Sequence, residues 1–327
     1  MIVKVFRRDF LAGAASAALL PAMGRAARAE TYPSRPVNLI VGTAPAGTPD
    51  IDARLIGQWL QEKLGQPFIV QNKPGAGTNL ATEMVVRSAP DGYTLLLITV
   101  ANAINATLYD NMTFNFIHDI APVAALVRTP LVMEVNPSLP VKTVAEFIAY
   151  TKANPGKVNM ATSGNGTPQH IAAELFTMMA GIDVLHVPYR STTPALVDLL
   201  AGQVQVIFDT IPASIEFIRA GKLRPLGVTT TAPLEVLPGI PTVAEAVPGY
   251  EASAWQGVGA PKCTPLEIVD LLNKQINAAL ADEKIKQRLI DLGAVPIPMS
   301  SADFAKMIAV ETEKFAKVIK FANIKPE

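Results

Sequence analysis

Short apolar runs that end in glycine- or proline-rich loops, each followed by a stretch of helical periodicity, recur along this chain and constrain its fold more than any other feature. Val37-Asn38-Leu39-Ile40-Val41 leads through such a loop to Ile51, Leu55, Trp59, Leu60 and Leu64, which fall at helical spacing. Phe68 to Val70, then Gly75 to Gly77, then Leu80, Met84 and Val85 repeat the order, and Leu95 to Ile98 follows the Asp91-Gly92 turn. Later units pair Lys157 to Ala161 with a helix from Gln169 to Met179, Val184 to Pro188 with Pro194 to Leu200, and Val206 to Phe208 with Ala213 to Ala220. Strand–helix alternation of this kind predicts an α/β fold, with mainly parallel sheets flanked by helices. No tight internal repeat is visible, which argues against a solenoid. At roughly 100–200 residues per domain, the length suggests about two domains.

Helix starts are marked. Thr143-Val-Ala-Glu146 and Thr264-Pro-Leu-Glu267 read as capping boxes, with Pro265 at a first helical position. Leu266, Val269, Leu272, Ile276 and Leu280 form one predicted apolar stripe, and Phe304, Ile308, Phe315 and Ile319 another. Pro- and Gly-rich stretches around Pro130 to Pro140 and Pro233 to Pro261 interrupt the alternation and are candidate domain crossings.

The first residues read as an export signal. Lys4, Arg7 and Arg8 precede an apolar stretch from Phe10 to Leu20, and Ala27-Arg28-Ala29 supplies the small-x-small cleavage pattern. The apolar run is shorter than the roughly 18 residues a membrane span requires. Arg7-Arg8-Asp9-Phe10-Leu11 resembles the twin-arginine motif, the alternative being an ordinary secretory signal. Either route predicts a periplasmic chain cleaved after Ala29. Removing residues 1–29 leaves 23 basic and 27 acidic residues, a net of −4. No basic cluster remains to neutralise a phosphate backbone, so nucleic acid is not an expected partner.

Composition also narrows the chemistry. One cysteine, Cys263, cannot build a thiolate cluster, and His118, His170 and His186 are not spaced as HExxH, so no metal is expected. The third glycine of GxGxxG is replaced by Leu80 in one loop and by Gln169 in another, and no GxxxxGK[ST] occurs. Neither GxSxG nor SxxK is present, which disfavours a hydrolase.

Four loops, each between a strand and a helix, carry the candidate chemistry: Ala44 to Asp50, Asn72 to Asn79, Ser163 to His170 and Pro188 to Pro194. In open α/β sheets ligands bind beyond the carboxyl ends of strands, where glycines admit close backbone approach and helix N-termini favour an anion. Gly75-Ala-Gly77 and Gly164-Asn-Gly166 are equally readable as ordinary tight turns. His170 either serves the site, by orienting its loop or binding directly, or merely caps or packs. Tyr189 and Arg190 either line the site or cover the surface. Asp209, directly after Val206-Ile-Phe208, either caps the next helix or receives a donor from a ligand.

At this point the chain resembles the solute receptors of tripartite tricarboxylate transporters, the Bug-type periplasmic receptors. The matching segments are Tyr32-Pro-Ser-Arg-Pro-Val37, the loop ending at Asp50, Asn72-Lys-Pro-Gly-Ala-Gly77, Pro90-Asp-Gly-Tyr-Thr-Leu95, Ala161-Thr-Ser-Gly-Asn-Gly-Thr167 with His170, and Val187-Pro-Tyr-Arg190. Further on come Pro194 to Gln203, Phe208-Asp209, Leu237 to Glu245, Trp255, Ala260-Pro261 and Ala322-Asn-Ile-Lys325. The resemblance implies a two-domain clamshell of the type II periplasmic-binding-protein kind, with residues 30–130 plus 255–327 in one domain and 131–254 in the other. It implies a monomer without catalysis or cofactor, which captures a small carboxylate (a di- or tricarboxylate, aromatic acid or amino acid) for membrane permease subunits. The other readings are a periplasmic α/β hydrolase and a sensor receptor feeding a signalling protein.

Carried over position by position, Ala46, Gly47 and Asp50 match the family's first loop, Gly75 and Gly77 its second, and Ser163, Gly164, Thr167 and His170 its third. Asp209 matches the opposing strand end, with Tyr189 nearby, and the resemblance makes all of these the expected ligand-binding positions. The family's first loop usually has a Pro-aromatic pair before Gly-Gly. Here Gly42-Thr43 and Ala46-Gly47 remove an aromatic wall and add a methyl, and Ser191 replaces a usual glycine.

Overall fold

The computed structural model describes residues 31–109, 111–164 and 166–326, so the predicted export signal and its cleavage point lie outside the described residues. Residues Arg35–Glu327 form one compact unit. Its strands and helices alternate from the start: β1 (Val37–Val41), α1 (Thr48–Leu64), β2 (Phe68–Asn72), α2 (Asn79–Val86), β3 (Thr94–Thr99), α3 (Val100–Leu108) and a short α4 (Phe116–Asp119). A long β4 (Ile120–Val135) follows, then α5 (Val144–Ala153), β5 (Asn159–Thr162), α6 (Pro168–Ala180), β6 (Leu185–Pro188), α7 (Thr192–Leu200), β7 (Val206–Thr210), α8 (Ile211–Arg219) and β8 (Arg224–Val228). The chain ends with β9 (Ser253–Pro261), α9 (Leu266–Ala281), α10 (Glu283–Asp291), β10 (Val295–Pro296) and α11 (Ser301–Phe321).

The strands join in the order β2-β1-β3-β9-β4-β7-β5-β6, with β8 and β10 added to β4. Pairing is parallel where helices connect consecutive strands: β1 with β2 and β3, and β5 with β6 and β7. The strands between these two parallel groups are antiparallel, because β9 and β4 return against β3 and β7. Strand β4 changes partner within its length. It pairs with β9 as far as Pro130, and with β7 from Leu131 to Val135.

Pro130 therefore stands inside a strand, where the proline-rich stretch reads as an interruption. The segment Val123 to Val135 is apolar almost throughout and buried on both faces, so it lacks the alternation that marks a half-exposed strand. In the core, Phe176 packs on Phe147, Phe208 and Tyr250 with ring centroids 5.5–6.1 Å apart. Trp255 meets Phe304 edge-on at 6.0 Å. A Cβ on Gly257 would collide with Phe304, so this glycine of β9 is the space the ring occupies.

Two helix expectations need correction. Val269, Leu272, Ile276 and Leu280 are buried as the stripe requires, but Leu266 is 77% exposed. The Thr264–Glu267 box does not form, because the Thr264 hydroxyl donates to the Pro261 carbonyl at 2.7 Å and α9 begins after Pro265. At α5, Thr143 does accept from the Glu146 amide, while Glu146 accepts from the Lys142 amide instead of closing the box on Thr143.

Candidate functional site

The parallel strands deliver their carboxyl ends, and the helices that follow begin, along one contiguous belt of loops. A Cβ on Gly42, just after β1, would lie 2.6 Å from Thr78 Cβ, so the first and second loops touch. Gly77 of the second loop sits against α3, where its Cβ would be 3.0 Å from Asn105 Nδ2 and 3.5 Å from the Tyr109 hydroxyl. The end of α3 meets the third loop, since a Cβ on Gly166 would lie 3.0 Å from Leu108 Cδ2. Gly164 adjoins the Tyr189 carbonyl in the fourth loop, and Thr192 at the start of α7 donates to Asp209 Oδ1 at 3.3 Å. The path runs from the end of β1 to the end of β7 and joins both parallel strand groups.

Backbone geometry in the second loop is unusual. Gly75, Ala76, Gly77 and Thr78 all have positive φ, at 149°, 46°, 59° and 84°. Two of the four are not glycine, so the strain must be held by neighbours. Asn105 donates to the Gly77 carbonyl, and Asn102 donates to the hydroxyls of Thr78 at 3.1 Å and Thr82 at 2.8 Å. Asn102 also accepts from the Thr99 amide at 2.8 Å, closing a capping box at the start of α3.

In the first loop Asp50 is buried and already engaged. Arg54, one helical turn on, donates to both of its oxygens at 2.9 and 3.0 Å, and the Ala46 amide donates at 2.9 Å. The Arg54 guanidinium, against the opposing effect of burial and with help from the Ala46 amide, holds the carboxyl below its ordinary range. This pair fixes Ala46 in the left-handed region, φ 66°, immediately before Gly47, the residue at which α1 starts without a side-chain cap. Asn72 at the end of β2 ties in by accepting from Arg54 at 3.3 Å and donating to the Thr43 carbonyl at 3.1 Å.

The third loop is organised around Thr167. Its hydroxyl donates to the Gly164 carbonyl at 2.8 Å, accepts from the His170 amide at 3.3 Å and lies 3.2 Å from the Ser163 hydroxyl. His170 is buried; its Nδ1 accepts from the Gly166 amide at 3.1 Å and its Nε2 faces Glu174 at 3.3 Å. Tyr189 turns its hydroxyl to Asp198 at 2.7 Å. Burial and that contact push the phenol up to about 12.

Asp209 is fully buried and accepts from the Thr210 amide at 2.7 Å as well as from Thr192. Burial lifts its carboxyl to about 6 in spite of these donors. Beside it Glu134, also fully buried, shares the Ser214 hydroxyl and is lifted to about 8, chiefly by burial, with the Asp209 charge adding to the effect. Asp52 on the core side of α1 is lifted to about 7 by burial, opposed by Gln256.

All the positions singled out in the sequence lie on or beside the belt, but several hold the loops instead of offering free groups. Asp50, Thr167 and His170 are occupied by internal partners, and Tyr189 by Asp198. Of the residues that brace the loops, Asn72 falls in a loop singled out from the sequence, whereas Arg54, Asn102, Asn105 and Ser214 do not. Only Arg54 left a signal, as the basic residue four positions after Asp50. A histidine–carboxylate group, His170, Glu174 and His186, was likewise invisible in spacing, because His186 comes from strand β6.

This architecture defines an α/β protein of the two-domain periplasmic-binding class, with its helix-starting loops along one belt. The chain belongs to the tripartite tricarboxylate transporter receptor family, whose model matches residues 52–324. It is 37% identical over 300 residues to Protein BugT of Bordetella pertussis, covering 91% of this chain and 92% of that protein. Among solved structures it is similar to R. palustris Rpa4515 with adipate, at 38% identity and TM-score 0.75, covering 90% of this chain and all (100%) of that one. It is also similar to MatC (Rpa3494) from Rhodopseudomonas palustris with bound malate, at 32% identity and TM-score 0.71, covering 88% and 100% respectively. The family is one of transporter receptors, and a further similar structure, at 31% identity and TM-score 0.71, is the periplasmic binding protein BugD.

Proposed function

We propose that this protein is a periplasmic receptor that captures a small carboxylate between two lobes and presents it to membrane permease subunits, without catalysis. The lobes are residues 30–130 with 255–327, and residues 131–254; the change of partners along β4 at Pro130 supports that division. Export follows the twin-arginine route with cleavage after Ala29, and the mature chain acts as a monomer. Among the described residues no helix is long and apolar enough to cross a membrane.

The observation that carries the reading is the belt itself, which gathers loop amides and helix starts from both parallel strand groups. An anion beside a helix N-terminus gains about 0.3–1 kcal/mol, more when partly buried, besides its hydrogen bonds. The two acids on the belt do not oppose an anionic guest at full strength. Asp50 is neutralised by Arg54, and Asp209 is surrounded by the donors Thr210, Thr192 and Ser214. Ala46, Gly47, Gly75 and Gly77 serve one side of the guest, and Ser163 and Gly164 the other, with Asp50, Thr167, His170, Tyr189 and the buried Asp209 fixing the loops. A guest closes the lobes only through contacts it makes better in the closed form, so both sides must touch it.

The bound adipate and malate of the two related structures support a carboxylate. Thermal-shift titration with adipate, malate, citrate, benzoate, glutamate and glucose tests it. Stabilisation by one or more acids and not by glucose is expected; a response to glucose alone defeats the reading. Mass spectrometry of the recovered acid, chemically unchanged, separates a receptor from a hydrolase.

A further inference from the structure

We propose that His170, Glu174 and His186 form a binding site for a divalent transition-metal ion of the zinc class. His170 and Glu174 stand one turn apart on α6, and His186 reaches them from β6, the strand at the end of the sheet. Glu174 Oε1 lies 3.3 Å from His170 Nε2 and 3.4 Å from His186 Nδ1, and the three ligand atoms all fall within 4.8 Å of one another. Donors placed tetrahedrally around zinc at about 2.0–2.1 Å are separated by about 3.3–3.4 Å, so two edges already have the dimensions of a loaded site. Two imidazoles and a carboxylate are a ligand set that zinc, cobalt and nickel accept, and three protein ligands leave a fourth position for water.

His186 provides the second observation. Both of its ring nitrogens are buried and neither makes a hydrogen bond; Nδ1 has only the 3.4 Å contact with Glu174, which falls short of hydrogen-bond geometry, and Nε2 has no polar partner among the described residues. Such groups normally find a partner, and a metal ion is one that uses the neutral ring.

Loading has a structural consequence for the third loop. His170 Nδ1 accepts the Gly166 amide proton, so in the metal-free protein the ring proton sits on Nε2, facing Glu174. Ligation through Nε2 requires that lone pair and moves the ring proton to Nδ1, where it opposes the Gly166 N–H. The ion and the Gly166–His170 hydrogen bond therefore exclude each other, and the site is coupled to a loop of the belt.

The test is calorimetric titration of untagged protein with Zn²⁺, together with the visible ligand-field spectrum on adding Co²⁺. The chain's remaining histidine, the exposed His118, supplies the control through His118→Ala. Wild type and His118→Ala are expected to bind one ion equally, with a tetrahedral cobalt spectrum. His186→Ala and Glu174→Gln, checked for folding by circular dichroism, should each lose more than the roughly 10–100-fold that removal of an outer-shell partner costs. Hydrogen exchange of the Gly166 amide should accelerate on adding Zn²⁺ to wild type and not to His186→Ala. Absence of binding, equal binding by all four proteins, or a Gly166 amide that is unchanged or slowed by Zn²⁺ overturns the proposal.

Discussion

Glu134 and Asp209, on neighbouring strands β4 and β7, are joined through a single hydroxyl: Ser214 Oγ lies 2.5 Å from Glu134 Oε1 and 3.3 Å from Asp209 Oδ2. A hydroxyl has one proton, so it can donate to only one of two carboxyl oxygens, and the second contact is favourable only when that carboxyl is itself protonated. Glu134 Oε2 is buried without a partner, which identifies Glu134 as the protonated member.

A pH dependence follows. The folded Glu134 titrates near about 8, whereas its ordinary value is 4.5, so between these limits the folded state holds more protons than the unfolded one. Its contribution is greatest below pH 4.5 and is lost as pH rises through about 8. Above 6.5 His186, whose pKa burial lowers, no longer opposes this trend. Unfolding free energies from urea titrations should fall between about pH 7 and about pH 8.5 in wild type, by up to about 1.4 kcal/mol per pH unit for one group, and fall less in Glu134→Gln. Equal slopes would remove Glu134 from the account.

Gly166 brings the third loop against α3. Alanine there must adopt φ 70° and place its Cβ 3.0 Å from Leu108 Cδ2. We expect Gly166→Ala to cost about 1–2 kcal/mol and to weaken carboxylate binding. Adding Leu108→Ala should return the steric part, so that a double-mutant cycle shows coupling; strictly additive effects would mean that the contact is absent in solution.

The Tyr189 hydroxyl is committed to Asp198. Tyr189→Phe should therefore lower stability by about 1 kcal/mol while leaving carboxylate affinity within about twofold. A large loss of affinity in a normally stable Tyr189→Phe protein would show that the phenol touches the solute instead.

The Asp50–Arg54 pair separates exposed from buried electrostatics. Arg54 is 55% exposed and Asp50 only 4%, so Arg54→Ala should cost up to about 1 kcal/mol and be salt-sensitive. Asp50→Ala should cost more, about 1–3 kcal/mol, because the Arg54 guanidinium and the Ala46 amide both lose a charged acceptor. Chemical denaturation at low and high salt distinguishes the two; equal costs would contradict the assigned roles.

What the sequence discloses is mostly local. Val37–Val41 is a strand with the predicted ends, and the units around β5, β6 and β7 fall within a few residues of their apolar runs, because turn residues and periodicity mark them. The loops of the belt are legible for the same reason. Long-range pairing is not: the antiparallel return of β4 and β9 depends on partners more than a hundred residues apart, and β4 hides as a continuous apolar run containing Pro130. The bracing asparagines of α3 are illegible too, since an asparagine in a helix carries no sign of which loop it will hold.

Strand β4 passes from one set of partners to the other with no slack between Pro130 and Leu131. Relative movement of the two parallel groups must be absorbed as torsion of a hydrogen-bonded ribbon. In the proposed closure such a joint would act as a stiff spring with a defined arc, unlike a tether that lets its ends wander.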